Sequence, residues 1–525
     1  MDTTNRNSTY NILVHWHNFK LKLVFEGIVV GILAGLLIVF YRWTLEQAAL
    51  VVTGIYKALS TRPFLIPLWV GVLLVIGYIV GRLIKYEPMI KGSGIPQVEG
   101  LLIGRINMDW LKVIIGKYIG GALVIGAGLS LGREGPSVQL GAAVGQGFGK
   151  IFKRMKIEER YLVTSGASAG LAAAFNAPLA GVMFALEEVH KSFSPFVLLS
   201  AFSAAIAADF VSSGFLGLTP VFNLDNVPSL PLNYYGHIII LGAMLGVFGA
   251  VFNKTLLGTQ RIYSRLKQIP QELWVTIPLL ITVALGFFLP QVLRGGHALI
   301  VSVLTTKNFA LKTLLLLLLV KFLFTMVSYG SGAPGGIFFP LLTIGALIGS
   351  IYGTVLVNFF QFDSMYLGNF VILAMVGYFT AIARAPLTGI ILITELVGSF
   401  SNFLSITVVS ITAYIFANLL RSKPIYESLY ENIIHEQAQG TTTQNNHYKV
   451  LLELPISMGS VLDGQKIKAI KWPANCLLVA VKRGEQEIIP RGNTVMQAGD
   501  YLLVLTNENT APDVHDQLIQ MSNHQ

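Results

Sequence analysis

Three stretches share one layout: Gly132-Arg133-Glu134-Gly135-Pro136, Lys91-Gly92-Ser93-Gly94-Ile95-Pro96 and Gly335-Gly336-Ile337-Phe338-Phe339-Pro340. In each, glycines precede a proline and an apolar run follows. Proline suits the first turn of a helix, where its missing N–H costs nothing. Glycine ahead of it lets the backbone turn sharply and approach a ligand closely. Each stretch is therefore expected to begin a helix. A helix N-terminus carries unpaired N–H groups and a partial positive charge. Several such ends brought together form an anion site without any full cation.

The surrounding composition places these turns in a lipid bilayer. Of 525 residues, 53% are hydrophobic and 12% are charged, about half the charge of a soluble domain. The mean hydropathy is +0.64. Residues 27–41 and 64–81 carry no charge, and 311–326 carry only Lys312, at the second position, and Lys321. Several apolar runs are interrupted by glycine and proline or fall short of the roughly 20 residues of a full span. Non-helical backbone at membrane depth is tolerated only when buried in protein or lining a cavity. A site of helix ends also suits transport, since a cage of full cations would hold a halide too tightly to release it.

The membrane region repeats itself. Asn176-Ala177-Pro178-Leu179-Ala180-Gly181, ending at Glu187, parallels Arg384-Ala385-Pro386-Leu387-Thr388-Gly389, ending at Glu395, at an offset of 386 − 178 = 208. Upstream, Pro136, Gly141 and Gly145 parallel Pro340, Gly345 and Gly349, at 340 − 136 = 204. Repeated halves with broken helices are a transporter signature that puts the substrate between the halves, near mid-bilayer. The spacing does not distinguish parallel from inverted repeats.

Together the three turns, in this order, resemble those of the CLC family of chloride channels and chloride/proton exchangers, over about four-fifths of the chain up to Tyr426. The resemblance implies an all-α polytopic membrane fold with inverted repeats and broken helices, in a homodimer with one pore per subunit. It implies that Ser93 coordinates the central chloride through its hydroxyl and that Tyr426, in Lys423-Pro424-Ile425-Tyr426, does so from the other side. Ile337 and Phe338 match the positions whose N–H groups face the anion. Glu134 matches the gating glutamate, which competes with chloride and carries protons, and Glu188 the internal proton-transfer glutamate of the exchangers. Serine rather than proline at 93 favours chloride over nitrate. Phe339 is bulkier than the alanine often found there and is expected to narrow the outer vestibule. The paired CBS domains of many eukaryotic members are absent from this sequence.

The physical reading of these residues agrees. An ionised carboxylate at position 134 mimics the anion, and a protonated one is neutral and free to swing away. Ionisable residues at membrane depth are functional by default. Bland roles exist for each residue: an ion pair with Arg133 for Glu134, a water-facing helix end for Glu188, turn capping for Ser93 and an interfacial aromatic for Tyr426.

Four regions are expected: a cytoplasmic N-terminal segment (1–22), a transmembrane domain (23–436), a polar linker (437–447) and a small α/β or β-rich cytoplasmic domain (448–525). The N-terminal segment lacks the apolar core of a secretory signal. In the last domain, 448–454, 475–483, 487–489 and 501–506 read as strands, with a turn at Gly484. Ile489-Pro490-Arg491-Gly492 and Ala498-Gly499-Asp500 resemble the C-terminal subdomain of RCK/TrkA-type regulatory modules, which can bind small nucleotides such as cyclic di-AMP. No residue there specifies a ligand, and no cofactor is expected.

The net charge of +10 comes from basic residues read as short connections: Lys150, Lys153, Arg154, Lys156 and Arg160; Lys254, Arg261, Arg265 and Lys267; Arg421 and Lys423. These are expected to face the cytoplasm of a plasma-membrane protein, with both termini on that side, and 214–235 and 357–368 outside. The expected partners are chloride, protons, lipid and a second copy, not nucleic acid. The single cysteine, Cys476, excludes an intrachain disulfide or a cysteine metal site and is expected to be a small buried apolar residue.

Two rival readings remain. Gly166-Ala167-Ser168-Ala169-Gly170 fits the G-x-S-x-G pattern of serine hydrolases, with His190 and His297 as possible bases. No strand precedes it, and the small residues of 164–174 suit close helix packing, so an ion transporter rather than an enzyme is expected. The nearer rival is a passive voltage- or pH-gated chloride channel of the same fold, from which Glu188 is the discriminating residue.

Overall fold

The computed structural model describes residues 3–522 except 192, 223–227, 267, 306–308, 441–448, 484–485 and 508–510. The chain divides into two units, Met1–Ile434 and His435–Gln525.

The first unit is helical. Among the described residues, eight helical stretches are long and apolar enough to cross a membrane, including Leu21–Thr61, Pro63–Tyr86 and Leu311–Gly330. Large apolar side chains such as Phe210 and Phe288 stand on its surface, as a lipid-facing protein requires. Lys156 and Arg160 lie on the Lys156–Phe175 helix, and Lys254, Arg261 and Arg265 on the Tyr235–Arg265 helix. Read as connections, these residues belong to helical turns; Lys267 is outside the described residues.

The small-residue run works as a packing surface. A Cβ added to Gly141 would collide with the backbone of Gly166, and one on Gly166 with that of Gly141; Gly145 and Gly170 are equally crowded. The Glu134–Ile151 and Lys156–Phe175 helices therefore touch backbone to backbone. Gly166→Ala is expected to cost about 1–3 kcal/mol through overpacking, measurable as a fall in thermal midpoint in detergent. An unchanged midpoint would contradict this packing.

The repeats meet about a two-fold axis. Gly132 and Gly336, 204 residues apart, exchange two hydrogen bonds, N–H to carbonyl in both directions at 2.7 Å. The second offset behaves likewise. Glu187 accepts from the N–H groups of Leu387 (3.2 Å) and Thr388 (2.7 Å), and Glu395 accepts from those of Leu179 (3.1 Å) and Ala180 (2.8 Å). Each carboxylate thus caps the N-terminus of the other repeat's helix, Pro386–Val397 or Pro178–Phe184, where the helix dipole favours it. A residue near the end of each helix reaches the start of the other, so the two run antiparallel, and the repeats are inverted.

The symmetry extends to two lysines. Lys117 and Lys321 (321 − 117 = 204) are both fully buried. Lys117 Nζ donates to the carbonyls of Ile90 (2.9 Å) and Gly92 (2.6 Å), and Lys321 Nζ to those of Val292 (3.0 Å) and Arg294 (2.5 Å). The charge that interrupts the 311–326 apolar run is spent on holding a turn.

The Ile425–Gly440 helix includes residues 437–440, so the polar stretch read as a linker from 437 begins helical. The remainder of that stretch, 441–447, is outside the described residues, as are Tyr448 and Gly484. Four antiparallel strands follow: β1 (Lys449–Pro455), β2 (Cys476–Arg483), β3 (Gln486–Ile488) and β4 (Tyr501–Asn507), in sheet order β1-β4-β2-β3. A helix that the strand pattern did not foretell, Ala511–Ser522, packs Val514 and Leu518 onto Leu454, Leu502 and Val504. Cys476 is only half-buried, a correction to its expected place in the core; its thiol donates to the Pro473 carbonyl.

Asp500, read as part of a turn, is buried. It accepts from Arg483 Nε (2.7 Å) and Nη2 (2.8 Å) and from the Gln497 N–H (2.9 Å). Burial alone would raise its carboxyl, but these donors outweigh burial and hold it below the ordinary aspartate range. A depressed carboxyl contributes stability above its ordinary pKa, and that stability is lost as pH falls through the folded value. Asp500→Ala is expected to cost about 2 kcal/mol, read as faster hydrogen exchange in β2 and β4 of the full chain. Exchange unchanged in the variant at neutral pH would contradict it.

Candidate functional site

All three glycine turns begin helices: Ile95–Ile103, Glu134–Ile151 and Phe338–Phe360. The first residues to donate within them are Val98 (to Gly94), Ser137 (to Arg133) and Leu341 (to Ile337). The N–H groups ahead of these have no carbonyl partner within the helix, and Pro96, Pro136 and Pro340 remove one from each set. The turns are in mutual contact. Gly335 N–H donates to the Gly92 carbonyl (2.9 Å), and Gly132 and Gly336 pair as described. A Cβ on Gly135 would stand 2.9 Å from Ser93 Cβ, and one on Gly336 3.0 Å from Gly135 N. Glycine is required here because three backbones share one space.

Glu134 lies at this junction. It is fully buried, and neither carboxylate oxygen has a hydrogen-bond partner. Arg133 Nε stands 3.8 Å from Oε1, within ion-pair range but too far for a hydrogen bond, so the expected pairing is present and leaves both carboxylate oxygens without a hydrogen-bond partner. Its own N–H and that of Phe339 face it without closing good geometry. A buried carboxylate without a hydrogen-bond partner is costly and persists where function retains it.

Ser93 is buried, and its Oγ accepts from Ile95 N–H (3.4 Å). It is also hydrogen-bonded to Tyr329, a residue the sequence reading missed. Turn capping is thus one of its roles. Tyr426 is fully buried, not interfacial, and its hydroxyl has no partner. It stands at the start of the Ile425–Gly440 helix with its ring against Phe184 (6.4 Å), within electrostatic range of Glu134, Glu188 and Tyr329. Ile337 and Phe338 are buried at the start of their helix, where Phe338 packs on Phe379 at 4.6 Å.

Glu188 sits on a π-helical turn, Ala185–Val189, and is 5% exposed, which argues against a water-facing helix end. Its charged neighbours are Lys191, Glu99, Glu187 and Glu427; Lys191 is ion-paired with Glu99. Glu187 beside it is committed to capping, so the two adjacent glutamates are physically distinct. The 208-residue spacing of Glu187 and Glu395 was the one sequence signal for that cap. Phe339 packs on Phe175 (5.6 Å), Phe222 (6.4 Å) and His297 (6.0 Å).

The hydrolase constellation does not assemble. Ser168 is inside a helix with its hydroxyl donating to the Ala201 carbonyl, and His190 Nδ1 is bonded to Thr164 Oγ1. Among the described residues, no three His, Cys, Asp or Glu side chains could jointly hold a metal ion.

The family model described as voltage gated chloride channel matches residues 72–418, which contain all three turns. The chain belongs to this family. A second model, the TrkA-C domain, matches residues 451–518. The curated CLC relatives include the H(+)/Cl(-) exchange transporter ClcA of Vibrio cholerae serotype O1 (strain M66-2). It is 34% identical over 428 residues, which are 79% of this chain and 90% of that protein. Among solved structures, a slow cyanobacterial Cl-/H+ antiporter superposes with a TM-score of 0.76 at 30% identity, over 79% of this chain and 99% of that one. A CLC-type fluoride/proton antiporter gives 0.64 at 26% identity, over 77% and 97%. A eukaryotic CLC transporter, at 21% identity, shares the fold with a TM-score of 0.68. The CLC chain described here is thus an ion-transport protein and not an enzyme.

Proposed function

We propose that this CLC chain is a secondary active transporter that exchanges chloride for protons across the plasma membrane, as a homodimer with both termini in the cytoplasm. One observation carries the reading: Glu134, buried without a hydrogen-bond partner, at the meeting point of three helix N-termini. Those dipoles attract one negative charge, and the carboxylate and a chloride ion compete for it. When chloride arrives from the Tyr426 side, Glu134 must leave or take up a proton. When chloride departs, the ionised carboxylate returns. Ser93, Tyr426 and the N–H groups of Ile337 and Phe338 hold the anion meanwhile, while the buried Lys117 is spent on the Ile90 and Gly92 carbonyls.

Glu188 passes protons to and from the cytoplasm. Its burial keeps it from acting as a simple surface acid, and Tyr426 lies in electrostatic contact with it and with Glu134. The exchanger names of the Vibrio and cyanobacterial relatives support exchange over a passive channel, as does a buried acid at 188. Ser93 favours chloride over nitrate.

Reversal potentials in planar bilayers test the proposal. With a fixed chloride gradient, changing the pH on one side is expected to shift the reversal potential. A reversal potential that stays at the chloride equilibrium value at every pH would make the protein a channel.

A further inference from the structure

A third offset joins the Thr3–Thr61 and Tyr235–Arg265 helices. Gly31 and Gly35 parallel Gly242 and Gly246, at 242 − 31 = 211. The same offset carries Arg42 to Asn253, and the offset of 208 carries Asn176 to Arg384. The correspondence is structural. Asn176 and Arg384 both cap the C-terminal end of a helix in left-handed backbone, with φ of 52° and 68°. In the first repeat Arg42 Nη1 donates to Asn176 Oδ1 (2.6 Å), and Asn176 Nδ2 donates to the Gly217 carbonyl (3.2 Å). In the second, Asn253 Nδ2 donates to the Ile382 carbonyl (3.3 Å), and Arg384 Nη2 donates to the Ser422 carbonyl (2.8 Å).

The second junction therefore grips the turn that leads into Tyr426. Asn253 Nδ2 also donates to the Lys423 carbonyl (3.0 Å) and to Ser422 Oγ (3.4 Å). Two successive carbonyls, three and four positions before Tyr426, are thus held from the Tyr235–Arg265 helix and from the end of the Leu367–Ala383 helix. Pro424 limits the backbone between them and the tyrosine. Arg384 is itself anchored, since its Nη1 donates to the Tyr414 carbonyl (2.8 Å) and its guanidinium lies over the Tyr414 ring (5.7 Å). Asn253 is buried, and its Oδ1 has no partner. An apolar side chain of the same size would avoid that cost, so the donor half of the amide is what this position requires. At the other end, the Tyr426 hydroxyl has no hydrogen-bond partner. Its place is set by the Phe184 ring and from its backbone.

We infer that Asn253 and Arg384 are positioning residues for exchange: they clamp the 422–423 turn so that the Tyr426 hydroxyl closes one end of the chloride site. They act through the backbone and not on the anion. The inference rests on the proposed role of Tyr426. A closure held in register makes chloride wait for the proton-linked movement of Glu134. A loosened one lets chloride slip past without a proton, because small misplacements of a positioned group have large effects on what it controls.

Chloride moved per proton, read by chloride and pH electrodes on the same proteoliposomes, tests it. Asn253→Leu removes the donor at nearly constant volume. Arg384→Gly removes the guanidinium at a position where glycine suits the left-handed backbone, so the turn still forms. Each is expected to raise the ratio by about three- to tenfold. A merely structural loss would lower both fluxes together and leave their ratio intact. Lys423→Ala changes only a side chain paired with Glu431 outside the clamp, and should leave the ratio as it is. Tyr426→Ala should raise it, and adding Arg384→Gly to Tyr426→Ala should raise it no further, since the clamp acts through the tyrosine. An unchanged ratio in Asn253→Leu or Arg384→Gly, with a raised one in Tyr426→Ala, would overturn the inference alone, as would additive effects in the double variant. An unchanged ratio in Tyr426→Ala would overturn the role proposed for Tyr426, and the inference with it.

Discussion

Glu134→Gln is expected to keep chloride moving while abolishing proton coupling and the pH dependence of the flux. The amide has nearly the shape of the carboxylate and no charge, so it imitates the protonated state permanently. It cannot compete with chloride for the dipoles of the Glu134–Ile151 and Phe338–Phe360 helices, and it carries no titratable proton. Uphill proton movement should fall to the leak of protein-free vesicles, and chloride efflux should be flat from acidic to neutral pH. The variant should also be well folded, because the amide gives up only the 3.8 Å ion pair with Arg133 and breaks no hydrogen bond. Retained proton pumping in Glu134→Gln would remove this residue from the mechanism.

Glu188→Gln is expected to separate the two fluxes from the other end. Chloride meets Ser93, Tyr426 and the helix ends but not Glu188, so its flux should persist. Protons should stop, since the buried acid near Tyr426 is gone. The neighbouring Glu187→Gln serves as a contrast. Glu187 accepts three hydrogen bonds, from Leu387 N–H, Thr388 N–H and Thr388 Oγ1, so its loss should lower stability by about 1–3 kcal/mol with coupling retained. Equal coupling defects in the two variants would mean that the π-helical turn as a whole, and not the Glu188 carboxyl, carries the proton.

The turns were legible because glycine and proline act locally: their spacing specifies a helix start whatever lies nearby. The repeat was legible for the same reason, through two offsets of 204 and 208. The hand of the repeat was not, because it is set by contacts such as Gly132 with Gly336 that join residues 204 apart. Tyr329 escaped notice since a tyrosine in an apolar helix has no local mark; only the fold brings it to Ser93. Lys321 was visible as a charge in an apolar run, but its target, the Val292 and Arg294 carbonyls, was not. In the C-terminal unit the strands announced themselves by short β-rich runs between glycine turns, within a residue or two of their ends. The Ala511–Ser522 helix did not, being short and mostly polar, with few apolar anchors such as Val514 and Leu518.

The two repeats use one backbone design in different ways. In each, a buried lysine donates to carbonyls of the turn ahead of a nine-residue helix, Lys117 before Ile95–Ile103 and Lys321 before His297–Thr305. The first repeat places a serine there, among the starts of the Glu134–Ile151 and Phe338–Phe360 helices. The second places a histidine there, at a cavity lined by arginine.

Proteoliposomes with a chloride gradient, no initial pH gradient and a pH electrode outside address the central claim most directly. If a carboxylate and a chloride ion exchange places among the helix ends, chloride leaving the vesicles must drive protons inward, and the outside medium must become more alkaline until the gradient is spent. Chloride efflux with the external pH unmoved, in vesicles shown to be proton-tight, would contradict the account.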